Sequence, residues 1–266
     1  MKRKILSSYD IVGSKEKAVA IVEVSDELKT KEKEIAKEIL KEHKNVKSVL
    51  KKTSERKGVF RTREYEFLLG DKNTEVIHIE YGCKLKLDPQ KVYFSSREGT
   101  ERARISKIVK PKETVLIMFA GIGPFSVIIA KKQPKVNKII SIEINPIAVD
   151  YMKENIRLNR VSDKIIPILG DVKEKCKEWF GKCDRVVMPL PQDAWSFFEI
   201  ANQCLKKKGG FIHLYTIEKE NVVEDEIKNK INNLKKKINR KIKFKIRKVL
   251  PYSPRTNKYC IDLKLN

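Results

Sequence analysis

The residues of this chain whose types and spacing could do chemistry are two glycines and two acids, each placed where an apolar run stops. The run Thr114-Val115-Leu116-Ile117-Met118-Phe119 ends in Ala120-Gly121-Ile122-Gly123-Pro124-Phe125, and a helix-like segment follows at once. This reads as a buried strand entering a glycine turn. Glycine lets the backbone approach a ligand closely, and the start of the next helix offers free N–H groups. A dinucleotide fingerprint needs a third glycine three residues after Gly123, where this chain has Ser126, and no phosphate-loop lysine is present. What remains is the pattern of a pocket for S-adenosylmethionine (SAM), a ligand without phosphate. A second apolar strand, Lys138 to Glu143, ends in an acid, and a carboxylate there suits the two hydroxyls of a ribose. A third, Ile165 to Leu169, runs into Gly170-Asp171, whose carboxylate can accept from an adenine amino group. One such acid alone is usually a helix cap or a solvated strand end. Three strand ends at βα spacing favour the cofactor reading. The expected cofactor-binding residues are Phe119, Gly121, Gly123, Phe125, Glu143 and Asp171.

Such residues need a parallel sheet to bring them together. Strands read near 114–119, 138–143, 165–169, 184–188 and 210–216, with helical patterns between them, which is an α/β sheet. A lysine-rich helix over 219–240 follows, and Phe244 to Leu250 and Tyr259 to Leu265 read as a closing antiparallel pair. The chain divides near residue 95. The first part, residues 1–95, is α+β: a strand over Ala18 to Val24, a helix over Leu28 to His43 with Ile35, Ile39 and Leu40 on one face, and a strand over Val59 to Leu69 paired with Glu75 to Tyr81. A basic helix spans about Arg97 to Lys110 and opens the second part, residues 96–266.

Composition bounds the partner. The 266 residues carry 59 Lys and Arg against 35 Asp and Glu, a formal net charge of +24. That excess is more than solubility needs and points to a polyanion, although thermophilic surfaces are lysine-rich for other reasons. No apolar span approaches 20 residues, and Met1-Lys2-Arg3-Lys4-Ile5-Leu6 is too short and too basic for a secretory leader, so a cytoplasmic protein with no membrane contact is expected. The five cysteines are scattered without zinc-finger spacing and the three histidines are isolated, so no metal is assigned.

Several stretches together carry a family resemblance. They are Ile11-Val12-Gly13, Gly58-Val59-Phe60-Arg61-Thr62-Arg63, Tyr93-Phe94-Ser95-Ser96-Arg97-Glu98-Gly99-Thr100-Glu101-Arg102, Met118 to Phe125, Glu143-Ile144-Asn145-Pro146 and Met188-Pro189-Leu190-Pro191. In these, and in their order, the chain resembles the archaeal and eukaryotic type of tRNA guanosine-37 N1-methyltransferase. The Tyr93–Arg102 block is the most specific, since a generic SAM enzyme does not carry it. The resemblance implies a Rossmann-like class I SAM methyltransferase sheet preceded by a small α+β domain that shapes the active site over the anticodon loop. It implies SAM as cofactor and the anticodon stem-loop of tRNA as partner, with the enzyme expected to be a monomer.

Three departures from the family pattern matter. Larger members have a further N-terminal domain that recognises the tRNA elbow, and this chain begins almost where their second domain begins. Ile117 stands where the family usually has Asp. Pro189-Leu190-Pro191 replaces the usual Asn-Leu-Pro, and proline has no side-chain acceptor for the target base. The Pro-x-Pro form resembles a subset of archaeal relatives that also methylate C7 of 4-demethylwyosine, giving isowyosine.

The chemistry then has candidate parts. N1 of guanine carries a proton at neutral pH, which must leave as the base attacks the methyl group in line. Glu101 is the candidate base; a helix salt bridge with Arg97, Arg102 or Arg104 is the plain alternative. Negative charge left on O6 suits a guanidinium. Arg61 and Arg63 would lie on the same face of an alternating strand, so both stand as candidates, Arg61 matching the catalytic position and Arg63 an RNA contact. Tyr93 can position the methyl end of the cofactor or stack on an extruded base, and Pro189 walls the base pocket. Arg97, Arg102 and Arg255, the last in a turn Tyr252-Ser253-Pro254-Arg255, are candidate RNA contacts. Two alternatives share the pocket: transfer of the 3-amino-3-carboxypropyl group of SAM, as in wybutosine synthesis, and a tRNA-binding protein that has lost catalysis.

Overall fold

The computed structural model describes residues 8–55 and 58–266. The amino-terminal segment considered above as a leader lies outside the described residues. The first unit comprises β1 (Ser8–Gly13), β2 (Ala18–Glu23), α1 (Glu32–Glu42), β3 (Val46–Lys52) and β4 (Tyr65–Gly70), with the strands side by side in chain order. β2 and β3 are parallel across the α1 crossover, and the outer pairs are antiparallel. Ile35, Ala36 and Ile39 of α1 pack on Ala18, Ala20, Val22 and Val49. The opposite face of the sheet, through Val12, Val19, Ile21 and Leu50, joins the core of the rest of the molecule.

The sequence reading of this unit is corrected in two places. It misses β1 and β3. It also places a strand over 59–69 against 75–81, whereas Gly58–Arg61 is a turn, β4 pairs with β3, and β5 (Val76–Glu80) closes a hairpin with β6 (Cys83–Leu87). The hairpin turn is Tyr81-Gly82, both at positive φ (50° and 81°), the backbone that matches the twist of two flanking strands.

The second unit is α2 (Gly99–Ile108), β7 (Thr114–Met118), α3 (Pro124–Lys132), β8 (Lys138–Glu143), α4 (Pro146–Leu158), β9 (Ile165–Leu169), α5 (Val172–Lys175), β10 (Arg185–Met188), α6 (Phe198–Cys204), β11 (Gly210–Lys219), α7 (Val223–Lys237), β12 (Ile242–Ser253) and β13 (Thr256–Leu265). Its sheet has the order β12-β13-β11-β10-β7-β8-β9. The five strands from β11 to β9 are parallel, and β13 and β12 run antiparallel at one edge. This is the Rossmann-like sheet expected. Each inner strand alternates faces: Val115 and Ile117 meet the core shared with the first unit, while Leu116 and Met118 meet the core under α6 and α7. Strand order reverses between β7 and β10, so the crevice beyond their carboxyl ends is where an open α/β sheet takes a ligand. No helix among the described residues is long and apolar enough to cross a membrane. In α7, Val223, Ile227 and Ile231 are buried and the lysines of its last turn are solvated.

A buried ion network ties α2 to the sheet. Arg185, 2% exposed, donates through Nε and Nη2 to the two oxygens of Glu113 and through Nη1 to Nε2 of His213 at 2.6 Å. The Nδ1 of His213 lies 2.6 Å from Asp262. Asp262 in turn accepts from Arg104, whose Nε and Nη2 hold Glu101. His213, Cys260 and Asp262 have metal-ligating atoms close together, but Arg104 already donates to both Cys260 and Asp262. In this setting neutral His213 donates from Nδ1 and accepts at Nε2. Burial, with the Arg185 guanidinium beside it, holds its pKa below the ordinary 6.5.

Two outcomes follow for stability. Because the folded value of His213 is depressed, the unfolded chain binds the extra proton, so its contribution is full above about pH 6.5 and is lost as pH falls through that value towards the folded one. Urea unfolding between pH 8 and pH 5 should show this decline, and His213→Gln should flatten it. Arg185→Ala leaves Glu113 and His213 buried without their partner and should cost about 3–5 kcal/mol by the same assay.

Candidate active site

The carboxyl ends of β7, β8 and β10, the turn at 58–61 and the segment from Tyr93 to Arg102 enclose a cavity of about 510 Å³. Every residue expected to bind cofactor lies in its wall except Gly123, which is buried just behind it. The local backbone shows why. Phe119 turns out of β7 at φ 56°, packs edge-on against Phe197 at 4.9 Å, and presents its ring to the cavity. Gly121 and Gly123 both sit at positive φ (56° and 81°). At Gly121 a side chain would point into the open cavity, with Tyr93 O the nearest atom at 3.9 Å; at Gly123 it would meet Met152 at 2.7 Å. Gly121 therefore leaves room for ligand and Gly123 for close helix packing.

Glu143 fastens the turn. Its carboxylate accepts from the backbone N–H of Gly121 at 2.7 Å and of Asn145 at 2.9 Å, joining the tips of β7 and β8. Burial pushes its pKa up, and the two N–H groups oppose the shift. Asp171 caps α5 by accepting from Lys173 N at 2.8 Å, and it stays exposed at the far end of the cavity. Two acids on neighbouring strand tips and an apolar floor of Ile122, Phe125 and Val172 fit a nucleoside with a polar tail.

The other end of the cavity is built for a second ligand. Pro189-Leu190-Pro191 forms one wall. Opposite it, Arg61 sits in a left-handed turn (φ 55°), with its N–H bonded to Gly58 O, and its guanidinium donates to Gln192 across the mouth. The turn separates the two arginines that an alternating strand would have aligned: Arg61 lines the cavity and Arg63 does not. Val59 and Phe60, at the tip of this turn, are 71% and 46% exposed.

In the Tyr93–Arg102 block the charged side chains are placed by partners distant in sequence. Glu101 does not line the cavity. It is buried behind it, accepting from Arg104 at 2.7 and 2.8 Å and from Tyr215 Oη at 2.6 Å. The carboxylate of this block that does line the cavity is Glu98, immediately before α2. Tyr93 Oη donates to its Oε1 at 3.0 Å, and buried Lys258 lies 2.8 Å from the same atom. Lys258 holds the Glu98 carboxyl below its ordinary value against the effect of burial. Arg102, an expected RNA contact, lines the cavity but is 2% exposed, bonded through two nitrogens to Glu80 and stacked on Phe94 at 5.1 Å. Arg97 is exposed but engaged with Asp10 at 2.5 Å, outside the cavity wall. Arg255 is exposed in the β12–β13 turn, at the end of the sheet that carries the cavity. Sequence reasoning gave no role to Glu98, Phe60 or Lys258. Glu98 and Phe60 stand inside the blocks that carried the resemblance, but only the folded chain shows which side chains of those blocks face inward.

Known proteins share this arrangement. Residues 76–244 match the model of the TRM5/TYW2 methyltransferase domain, and residues 1–74 match that of the TYW2 N-terminal domain. The chain is 40% identical over 267 residues to the tRNA (guanine(37)-N(1))-methyltransferase Trm5b of Pyrococcus abyssi, covering all of this chain and 77% of that protein. It is 39% identical over 200 residues to the tRNA 4-demethylwyosine(37)-methyltransferase Taw21 of Saccharolobus solfataricus, 75% of this chain and 74% of the relative. It is 32% identical to the tRNA (guanine(37)-N(1))/4-demethylwyosine(37)-methyltransferase Taw22 of Nanoarchaeum equitans, 85% of this chain and 89% of the relative. Among solved structures, a complex of aTrm5 with tRNALeu superposes with TM-score 0.83 at 40% identity, covering 97% of this chain and 72% of that one. TYW2 of M. jannaschii with AdoMet superposes with TM-score 0.74 at 28% identity, covering 97% and 99%.

The two glycines should respond differently to valine. Gly121→Val fills ligand space and strains one left-handed residue by about 1–2 kcal/mol, so titration calorimetry should show SAM binding lost in a folded protein. Gly123→Val drives into Met152 and should lower the melting temperature as well.

Proposed function

The chain belongs to the TRM5/TYW2 methyltransferase family, and on that premise we propose how its cavity works as a SAM-dependent tRNA methyltransferase at guanosine 37. The observation that carries the assignment of parts is one cavity with two ends: strand-tip acids and a glycine turn at one, Arg61, Glu98 and the Pro189-Leu190-Pro191 wall at the other. Glu143, Asp171, Phe119 and Gly121 hold the nucleoside of SAM. Tyr93, above the glycine turn, orients its methyl end. SAM supplies an electrophilic methyl group whose electron pair returns to sulfur. The enzyme acts as a monomer in the cytoplasm, on the anticodon stem-loop.

The residues at the mouth divide the work on guanine. Arg61 stands where O6 gathers charge, and its guanidinium lowers the proton affinity of N1 by stabilising the oxyanion. The Glu98 carboxylate accepts the N1 proton as the N1–carbon bond forms. Lys258 favours the ionised form of Glu98 against burial, at the cost of driving force for proton transfer, which Arg61 restores from the substrate side. Glu101 acts through Arg104 and Tyr215 as a positioning residue for α2.

The proline wall favours a second reading of the same site. Pro189 removes a side-chain acceptor and offers an apolar face, which suits the tricyclic 4-demethylwyosine base, and two relatives are named for methylating that nucleoside. The chain methylates both bases on this reading.

Glu98→Gln should reduce single-turnover N1 methylation by roughly 10²–10⁴-fold. Glu101→Gln should lower the melting temperature and leave the pH profile of the remaining activity unchanged. A functional Glu98→Gln beside a stable, inactive Glu101→Gln would reverse the two roles. Mass spectrometry of anticodon-loop nucleosides should find N1-methylguanosine and, from 4-demethylwyosine tRNA, isowyosine. Pro189→Asn should keep the first product and depress the second; an aminocarboxypropyl product, or none, would overturn the methyltransferase assignment.

A further inference from the structure

Beside the catalytic cavity lies a second of about 560 Å³, and Phe60 and Asn145 line both. The two cavities are therefore neighbours with Phe60 as part of the wall between them. The second has flat apolar surfaces: Phe60, Tyr65, Pro146 and Ile147, the last 45% exposed. It also has two cations, Arg63 and Lys91, against one carboxylate, Glu64. Arg63 is the less committed of the two. Among the described residues its buried Nε has no hydrogen-bond partner, and its ion pair with the mostly exposed Glu55 is 3.6 Å long. Lys91 faces Asp88 at 3.5 Å, with more than half of its side chain in solvent.

Apolar faces beside loosely paired cations are the chemistry of a nucleotide: faces for base and sugar, cations for phosphate. Its source is set by the neighbouring site. An extruded base in the first cavity is covalently continuous with the nucleotides on either side of it, and one of them must pass Phe60. Keeping extruded and flanking bases apart also requires something in the gap, since unstacking costs a few kcal/mol.

We propose that the second cavity is a subsite for the nucleotide adjacent to the target. Phe60 separates the two bases and stacks on the flanking one, and the Arg63 guanidinium binds the phosphate in exchange for its long ion pair with Glu55. This rests on the tRNA reading above and extends it from one nucleotide to two. It also gives Arg63 a place of its own, apart from Arg61.

The test uses the full chain and anticodon stem-loop RNAs in which the nucleotide on one or the other side of position 37 is abasic. For the wild type, removing the flanking base on the occupied side should weaken binding about 5- to 100-fold, the range of one base–aromatic stack, and removing the other should not. Phe60→Ala should weaken binding of intact RNA by a similar factor and add little further loss on the abasic RNA; Phe60→Trp should restore affinity and Phe60→Leu should not. Arg63→Gln should reduce the slope of log affinity against log salt by about 0.7, one phosphate on a single strand, with SAM affinity unchanged. Equal tolerance of both abasic RNAs, additive losses with Phe60→Ala, or an unchanged salt slope for Arg63→Gln would overturn the subsite. Failure of the wild type to bind intact stem-loop would instead strike the tRNA reading itself.

Discussion

The position of helix α2 rests on one guanidinium. Arg104 lies between Glu101 of its own helix and Asp262 of β13, and both carboxylates accept two of its N–H groups. Charges this deep are stable only when paired and fully bonded, and bidentate arginine pairs meet that condition best. Through them the start of α2 is held at fixed height over the sheet. That height sets where Glu98 and Tyr93 stand relative to the glycine turn, and Arg102 carries the same constraint to the β5–β6 hairpin through Glu80. The cavity wall nearest the reacting atoms is thus supported by ion pairs, while the opposite wall is supported by the hydrophobic strands of the sheet.

This division explains what could be read in advance. The strand–turn–helix at 114–132 and the acids Glu143 and Asp171 were legible because period-two burial, glycine backbone needs and strand-end acids are local signals. The partners of Arg102 and Glu101 were not legible, because whether a charged side chain faces RNA or a buried partner depends on residues distant in sequence, here Glu80, Asp262 and Tyr215. Glu98 was passed over for the same reason, since Lys258, which keeps it charged, comes from the last strand. β3 was missed because its lysines dilute the apolar pattern, although Val46, Val49 and Leu50 are buried. The 59–69 strand failed at Arg61, whose left-handed φ no alternating pattern announces.

The physical load of catalysis is correspondingly uneven. Guanine N1 needs a lost proton and a stabilised oxyanion, and on the proposed reading those demands fall on Glu98 and Arg61. Arg61 reaches the cavity from a turn that leads into β4 of the small sheet, while Glu98 reaches it from just before α2, which is tied to the large one. Their relative geometry depends on the apolar core that continues from Val12, Val19 and Ile21 into Leu85, Ile105 and Phe125.

That continuous core has an evolutionary side. The glycine turn and the strand-tip acids belong to the large sheet, while two short loops, 58–61 and 189–193, reach the same cavity from different supports. Drift in either loop can change which base is modified while the donor pocket is conserved. A lineage built on this frame can therefore diversify its nucleosides without reinventing its chemistry, provided that the seam between the two sheets stays closed.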